Sequence, residues 1–186
     1  MFDLKDASDK LTNTYQKPGI ANVTITAVSL EETGTNKVPF IQLLTESESG
    51  DVGKSGRMFL STEVKPGKKT SGWAVTARNL VDIIMATKNI SEDDAKATIS
   101  GIANKEQLAA KLSAILIGGK LRAKFKGETN EKGNIYATLA QVESLSVPVA
   151  ETSLRYDASR DIKPFTGTST TNVLGGESEK TADLPF

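Results

Sequence analysis

Alternating apolar and polar positions in the first third of the chain predict three β-strands. They span residues 20–30, 38–44 and 57–64. In the first of them, Val23, Ile25 and Ala27 fall on one face, which is the two-residue period of a half-buried strand. The stretch 45–55 between the second and third strands contains Gly50 and Gly53 and is predicted to be a polar loop.

A helical period replaces the alternation after residue 72. From Trp73 to Met85 the apolar residues repeat at i, i+3 and i+4. Ser91 precedes three acids, a pattern typical of a helix N-terminus, and Asn104 with Gln107 resembles a capping box. The sequence therefore predicts a helical section that ends at Gly118-Gly119.

Two further strands follow the helical section, over residues 120–126 and 134–142. A five-stranded OB barrel has this order of elements: three strands, a helical section and two more strands. We therefore expect a mainly β fold: an OB-fold barrel with helices between strands three and four. Residues 1–17 are expected to form an N-terminal arm, 18–146 the OB domain and 147–186 a flexible tail. Apolar residues in the first half of the tail suit packing against the barrel or a neighbouring subunit in a homo-oligomer: Leu154, Tyr156, Ile162 and Phe165.

The composition narrows the possible chemistry. The chain has no cysteine and no histidine, which excludes disulfides, thiolate metal sites and the commonest general base. Gly53-Lys54-Ser55 resembles the end of a phosphate loop, but Glu48 stands where that motif needs a glycine. We expect no enzyme, cofactor or metal site, although a carboxylate-metal nuclease remains an alternative. The absence of an apolar span or a secretory signal favours the cytoplasm.

The basic residues are clustered, although the net charge is zero. Residues 52–78 and 119–127 are rich in lysine and arginine, and a groove for single strands needs cations for phosphates and aromatic rings for bases. On the 120–126 strand, alternation turns Leu121 and Phe125 inward and the cations outward. An alternative is that the lysines are merely solvated and Trp73 belongs to the core. The candidate DNA-binding residues are Lys54, Arg57, Phe59, Lys65, Lys68, Lys69, Trp73, Lys120, Arg122, Lys124, Lys126 and Tyr136.

The last residues, Asp183-Leu184-Pro185-Phe186, have the chemistry of a short anchor. Phe186 can fill an apolar pocket, Pro185 limits the entropy lost on ordering, and the acids Glu177, Glu179 and Asp183 add electrostatic steering. We therefore predict that these four residues bind a protein partner.

This ending is similar to the tip of bacterial single-stranded DNA-binding proteins, in which acids precede Ile-Pro-Phe. The chain resembles phage single-stranded DNA-binding proteins, which combine an OB barrel with an acidic tail ending in Phe. Lys180 interrupts the acids here, whereas the family tip usually carries several in a row. The resemblance implies sequence-independent binding of single-stranded DNA in replication, recombination or repair, with recruitment of replication or recombination proteins by the tip. The alternative is a non-catalytic structural or protein-interaction module of a phage assembly.

Overall fold

The computed structural model describes residues 15–165, which are mainly β-strand with helices between the third and fourth strands of a ring. None of the helices in this part of the chain combines the length and the hydrophobicity that a membrane span requires. The elements are β1 (Gly19–Thr33), β2 (Val38–Ser47), β3 (Val52–Ser55), β4 (Met58–Phe59), α1 (Gly72–Lys88), α2 (Glu92–Ile99), α3 (Lys105–Leu116), β5 (Lys120–Thr129), β6 (Ile135–Glu143), a 3-10 turn (Val149–Glu151), α4 (Ala158–Asp161) and β7 (Ile162–Lys163).

Five strands pair in a closed ring. β1 pairs with β2, β2 with β3, β6 with β5, and β5 returns to β1, all antiparallel, while β3 pairs with β6 in parallel. The short strands β4 and β7 add to β2 and β5 respectively. The predicted order of ring strands and helices is therefore confirmed.

The core lies inside the ring and under the helices. Val23, Leu121 and Phe125 are buried in the ring, and Leu80 of α1 and Leu112 of α3 belong to the same apolar cluster. The alternation read from the sequence thus places the correct side chains inward.

The predicted helix starts are confirmed by their caps. Ser91 Oγ accepts a hydrogen bond from the Asp94 amide, and Asn104 Oδ1 accepts one from the Gln107 amide at 2.8 Å. Each cap satisfies an amide that the first helical turn cannot pair internally.

The third strand was predicted in the wrong place. Its ring strand is β3, within the stretch read as a polar loop, whereas the predicted strand 57–64 keeps only the two residues of β4. Gly53, Lys54 and Ser55 give β3 almost no apolar alternation. The strand is held instead by polar contacts. The Ser55 hydroxyl accepts a hydrogen bond from the Leu43 amide at 2.9 Å, and a turn at Gly50 joins β3 to β2.

Gly53 is where β3 approaches the core most closely. A Cβ at this position would lie 2.7 Å from both Phe125 Cε1 and Thr45 Oγ1, and both neighbours are fully buried. We expect Gly53→Ala to lower the free energy of unfolding by about 1–3 kcal/mol, measured by urea unfolding. Gly56→Ala is the matched control, because its Cβ would meet Thr138 Cγ2 at an ordinary 3.7 Å. Equal stability of the two variants would contradict this packing.

Residues 144–165, here called the strap, pack on the outward face of β5. Leu154 of the strap is buried, and Ile162 pairs with Gly127 of β5 in the parallel β5–β7 ladder. Residues 147–165 of the strap belong to the tail 147–186 that was expected to be flexible. Their packing on the ring is the arrangement that the apolar residues in the first half of that tail allowed.

Candidate functional site

A groove opens where β3 and β6 diverge. The two strands pair at Lys54 and Thr138 and at the next position along, but Val52 of β3 bridges to Tyr15 instead. The resulting cavity has a volume of about 880 Å³. We call it the β3–β6 groove; it is lined by residues 15, 16, 42, 52, 54–57, 126–128, 134–138 and 163.

The groove is positively charged. Lys54, Arg57, Lys126 and Lys163 line it together with one acid, Glu128, so its side chains carry an excess of three positive charges. Lys163 Nζ lies 3.2 Å from Glu128 Oε1, and both side chains are largely exposed. An exposed pair of this kind is weak, so Lys163 can exchange Glu128 for another anion.

Exposed apolar and aromatic side chains share the same groove. Tyr15 is 76% exposed, Tyr136 57% and Ile135 47%. The hydroxyl of Tyr136 accepts a hydrogen bond from Asn130 Nδ2 at 3.3 Å. Because more than half of each tyrosine is exposed, both are available to stack on planar groups.

Arg57 connects the groove to a second aromatic group. Its guanidinium carbon lies 5.3 Å from the centre of the Phe40 ring, a cation–π distance. Phe40 in turn contacts Phe59 at 6.0 Å between ring centres. Phe40 is buried and Phe59 is 36% exposed, so Phe59 is the accessible ring beside Arg57.

Other predicted residues lie outside the groove lining. The basic loop that carries Lys65, Lys68 and Lys69 is exposed between β4 and α1. Trp73 packs against the hydrophobic core at the start of α1. Lys120 is exposed but lines a separate cavity with Glu46 and Glu48. The structure therefore brings together Lys54, Arg57, Lys126 and Tyr136 of the predicted set.

The prediction that the whole cationic face of β5 points to solvent is wrong for Arg122 and Lys124. Arg122 is 7% exposed and Lys124 8%. Alternation correctly turned both away from the core, but the strap covers that outer face. Because both charges are buried, their loss is expected to destabilise the fold.

Arg122 is held by the largely buried carboxylate of Glu143 at the end of β6. Its Nη1 donates to Glu143 Oε2 at 3.0 Å and to the Val147 carbonyl at 3.1 Å. Glu143 also accepts from the Thr152 hydroxyl and from the amide and hydroxyl of Ser153. The Thr152 hydrogen bond, followed by those of Ser153 and Arg122, lowers the pKa of Glu143 to about 2 despite its burial.

Lys124 is held by a carboxylate of the strap. Its Nζ lies 2.8 Å from Asp161 Oδ2, which also accepts the Asp157 amide at 3.0 Å. The hydrogen bond from Lys124, then that from the Asp157 amide, lowers the pKa of Asp161. Lys126 Nζ lies 3.7 Å from the other oxygen of Asp161 but is half exposed at the edge of the groove.

Sequence reasoning missed Tyr15 and Lys163, which it had assigned to the arm and the tail. The tip Asp183-Leu184-Pro185-Phe186 lies outside the described residues. Among residues 15–165 there is no group of three or more His, Cys, Asp or Glu side chains that could hold a metal ion. The sequence matches no protein-family model and no curated protein, so the chemistry of the β3–β6 groove is the basis for assigning a function.

Proposed function

We propose that this protein binds single-stranded DNA in the β3–β6 groove, without strong sequence preference and without catalysing a reaction. The observation that carries the proposal is the presence of four cations and two exposed tyrosines in one groove. Its role is in DNA replication, recombination or repair, as expected from the resemblance to phage single-stranded DNA-binding proteins.

The groove offers both kinds of contact that an unpaired strand uses. Lys54, Arg57, Lys126 and Lys163 can neutralise phosphates, which supplies sequence-independent affinity. Tyr15 and Tyr136 can stack on bases, and each stacked base is worth about 1–3 kcal/mol. In a duplex the base faces are already stacked on one another, so this second contribution is lost.

The position of the groove supports an OB barrel as the fold. OB barrels bind oligonucleotides across their second and third strands and beside the loop between the fourth and fifth. Here Gln42 of β2, Lys54 of β3 and the β5–β6 hairpin line the groove, and these are the corresponding ring strands in chain order.

The tip completes the proposal. Phe186 with its carboxylate anchors a replication or recombination protein, and the acids before it steer the encounter. This assignment is supported by the four terminal residues and by their similarity to the bacterial tip.

Fluorescence anisotropy with labelled single-stranded and duplex oligonucleotides tests the proposal. We expect the single strand to bind at least about tenfold more tightly, because two stacked bases at about 1–3 kcal/mol each exceed the roughly 1.4 kcal/mol of a tenfold change. Log K should fall with log salt at a slope near −2.8 if all four cations contact phosphates. Equal affinity for single-stranded and duplex DNA would show that the groove acts only as a generic basic patch. Binding to neither form would favour a structural or protein-interaction module.

A further inference from the structure

The outward face of β5 carries four cations in a row, yet two of them do not reach solvent. Lys120 and Lys126 are exposed, whereas Arg122 and Lys124 between them are buried. Each buried cation is neutralised by its own carboxylate, in contacts of 3.0 Å and 2.8 Å. The row is therefore interrupted by two ion pairs beside the groove.

We propose that Glu143 and Asp161 are positioning residues that limit how much nucleic-acid backbone the protein contacts. By holding Arg122 and Lys124 they end the cation row at Lys126. This inference rests on the proposed function, because it concerns the extent of the same binding surface.

The strap runs from the buried ion pair at Lys124 into the lining of the groove. Its residues can therefore determine how many cations the groove presents to nucleic acid. Asp161 holds Lys124 with one oxygen and lies 3.7 Å from Lys126 with the other. Two residues further along, Lys163 enters the groove lining. The strap thus removes one lysine of β5 from the surface and adds one of its own.

Stability alone is a weak reason for these pairs. Replacing a buried ion pair by apolar residues of similar size is often neutral or stabilising, because desolvation offsets the attraction between the charges. Apolar side chains in place of Arg122 and Lys124 could therefore fill the buried space under the strap as well. Arg122 and Lys124, unlike apolar residues, can contact phosphates whenever their carboxylate partners are neutralised.

Neutralising one carboxylate should release its partner. In Asp161→Asn the Lys124 ammonium is left buried without its counter-charge, which is costly, and its long stem lets the charge move to solvent beside Lys126. Asn can still accept the Asp157 amide, so the turn of the strap is kept. Glu143→Gln acts on Arg122 in the same way and can still accept from Ser153.

The test is the salt dependence of single-stranded oligonucleotide binding, measured by anisotropy for Asp161→Asn, Glu143→Gln and the unaltered protein. Each released cation should steepen the slope by about 0.7. Glu92→Gln is the matched control: it makes the same charge change and frees Lys96 in an exposed pair on α2, so the slope should not change. Slopes equal to that of the unaltered protein in both variants would overturn the inference.

Lysine acylation read by mass spectrometry tests the same point in the unaltered protein, so the inference does not depend on the variants folding. Lys126 and Lys163, with side chains 48% and 72% exposed, should react quickly and be protected by a bound oligonucleotide. Lys124, with a side chain 9% exposed, should react slowly with or without it. Rapid acylation of Lys124 that the oligonucleotide prevents would overturn the inference. If no oligonucleotide binds, the proposed function fails, and rapid acylation of Lys124 in the free protein would separately refute the masking.

Discussion

Replacing Lys54, Arg57 and Lys126 together by alanine is expected to remove most of the affinity for single-stranded DNA while the protein stays folded. The three cations line one groove, and each phosphate contact contributes about 0.7 to the salt slope. The slope should therefore flatten by about 2.1, which corresponds to about a hundredfold loss of affinity at 0.1 M salt. Anisotropy titrations at several salt concentrations measure both quantities. The fold should survive, because Lys54 and Arg57 are exposed and Lys126 is half exposed.

The matched control is the triple alanine variant of Lys65, Lys68 and Lys69. It makes the same change in net charge, but these residues lie in an exposed loop outside the groove lining. We expect a smaller loss of affinity, because long-range attraction is screened within about 10 Å at 0.1 M salt. A loss as large as that of the groove variant would move the binding site to this loop.

Replacing Arg122 and Lys124 together by alanine is expected to lower Tm strongly, in contrast to the groove variant. Asp161 would remain as a buried carboxylate and Glu143 as a largely buried one, both without their cations, and breaking a buried pair by removing one partner is strongly destabilising. Thermal unfolding followed by circular dichroism measures the effect. Lys120→Ala is the control, because Lys120 lies on the same face of β5 but is exposed. A variant as stable as this control would show that the ion pairs do not hold the strap.

The same variant has an expected pH dependence. The pKa of Glu143 is lowered from 4.5 to about 2 in the folded protein, so its contribution to stability is present above pH 4.5 and is lost as the pH falls towards 2. Asp161, whose pKa is also lowered, changes in the same direction. The Tm difference between the unaltered protein and the Arg122→Ala, Lys124→Ala variant should therefore narrow in acid. A difference that stays constant over this range would mean that the two carboxylates are not its cause.

Periodicity predicted the parts of the fold that apolar residues hold together. Val23 and Ile25 in β1 and Phe125 in β5 alternate with polar neighbours, so their strands could be recognised. β3 could not, because Gly53 serves close packing and Ser55 serves a hydrogen bond, and neither gives an alternating signal.

The candidate site was predicted in part, for a related reason. Alternation tells which side of a sheet a residue occupies, and it placed Lys126 and Tyr136 correctly on the outside. It carries no information about whether a distant segment covers that side. Arg122 and Lys124 were therefore predicted to be exposed, and Lys163 was assigned to the tail. In the structure the strap lies on β5, where it buries the first two residues and brings Lys163 into the groove lining.

The closed ring has a consequence for how the protein folds. β1 and β5 are far apart along the chain, and their ladder pairs Gly19 with Phe125. Long-range pairings of this kind form late, because the entropy of closing the loop is lost before the contacts compensate for it. The β1–β2 hairpin can form early, but the β3–β6 pairing beside the groove, such as Lys54 with Thr138, also joins distant segments. Nascent chains would therefore acquire the groove only after α1, α2, α3 and both later strands have been synthesised, so the proposed oligonucleotide binding would report on complete folding.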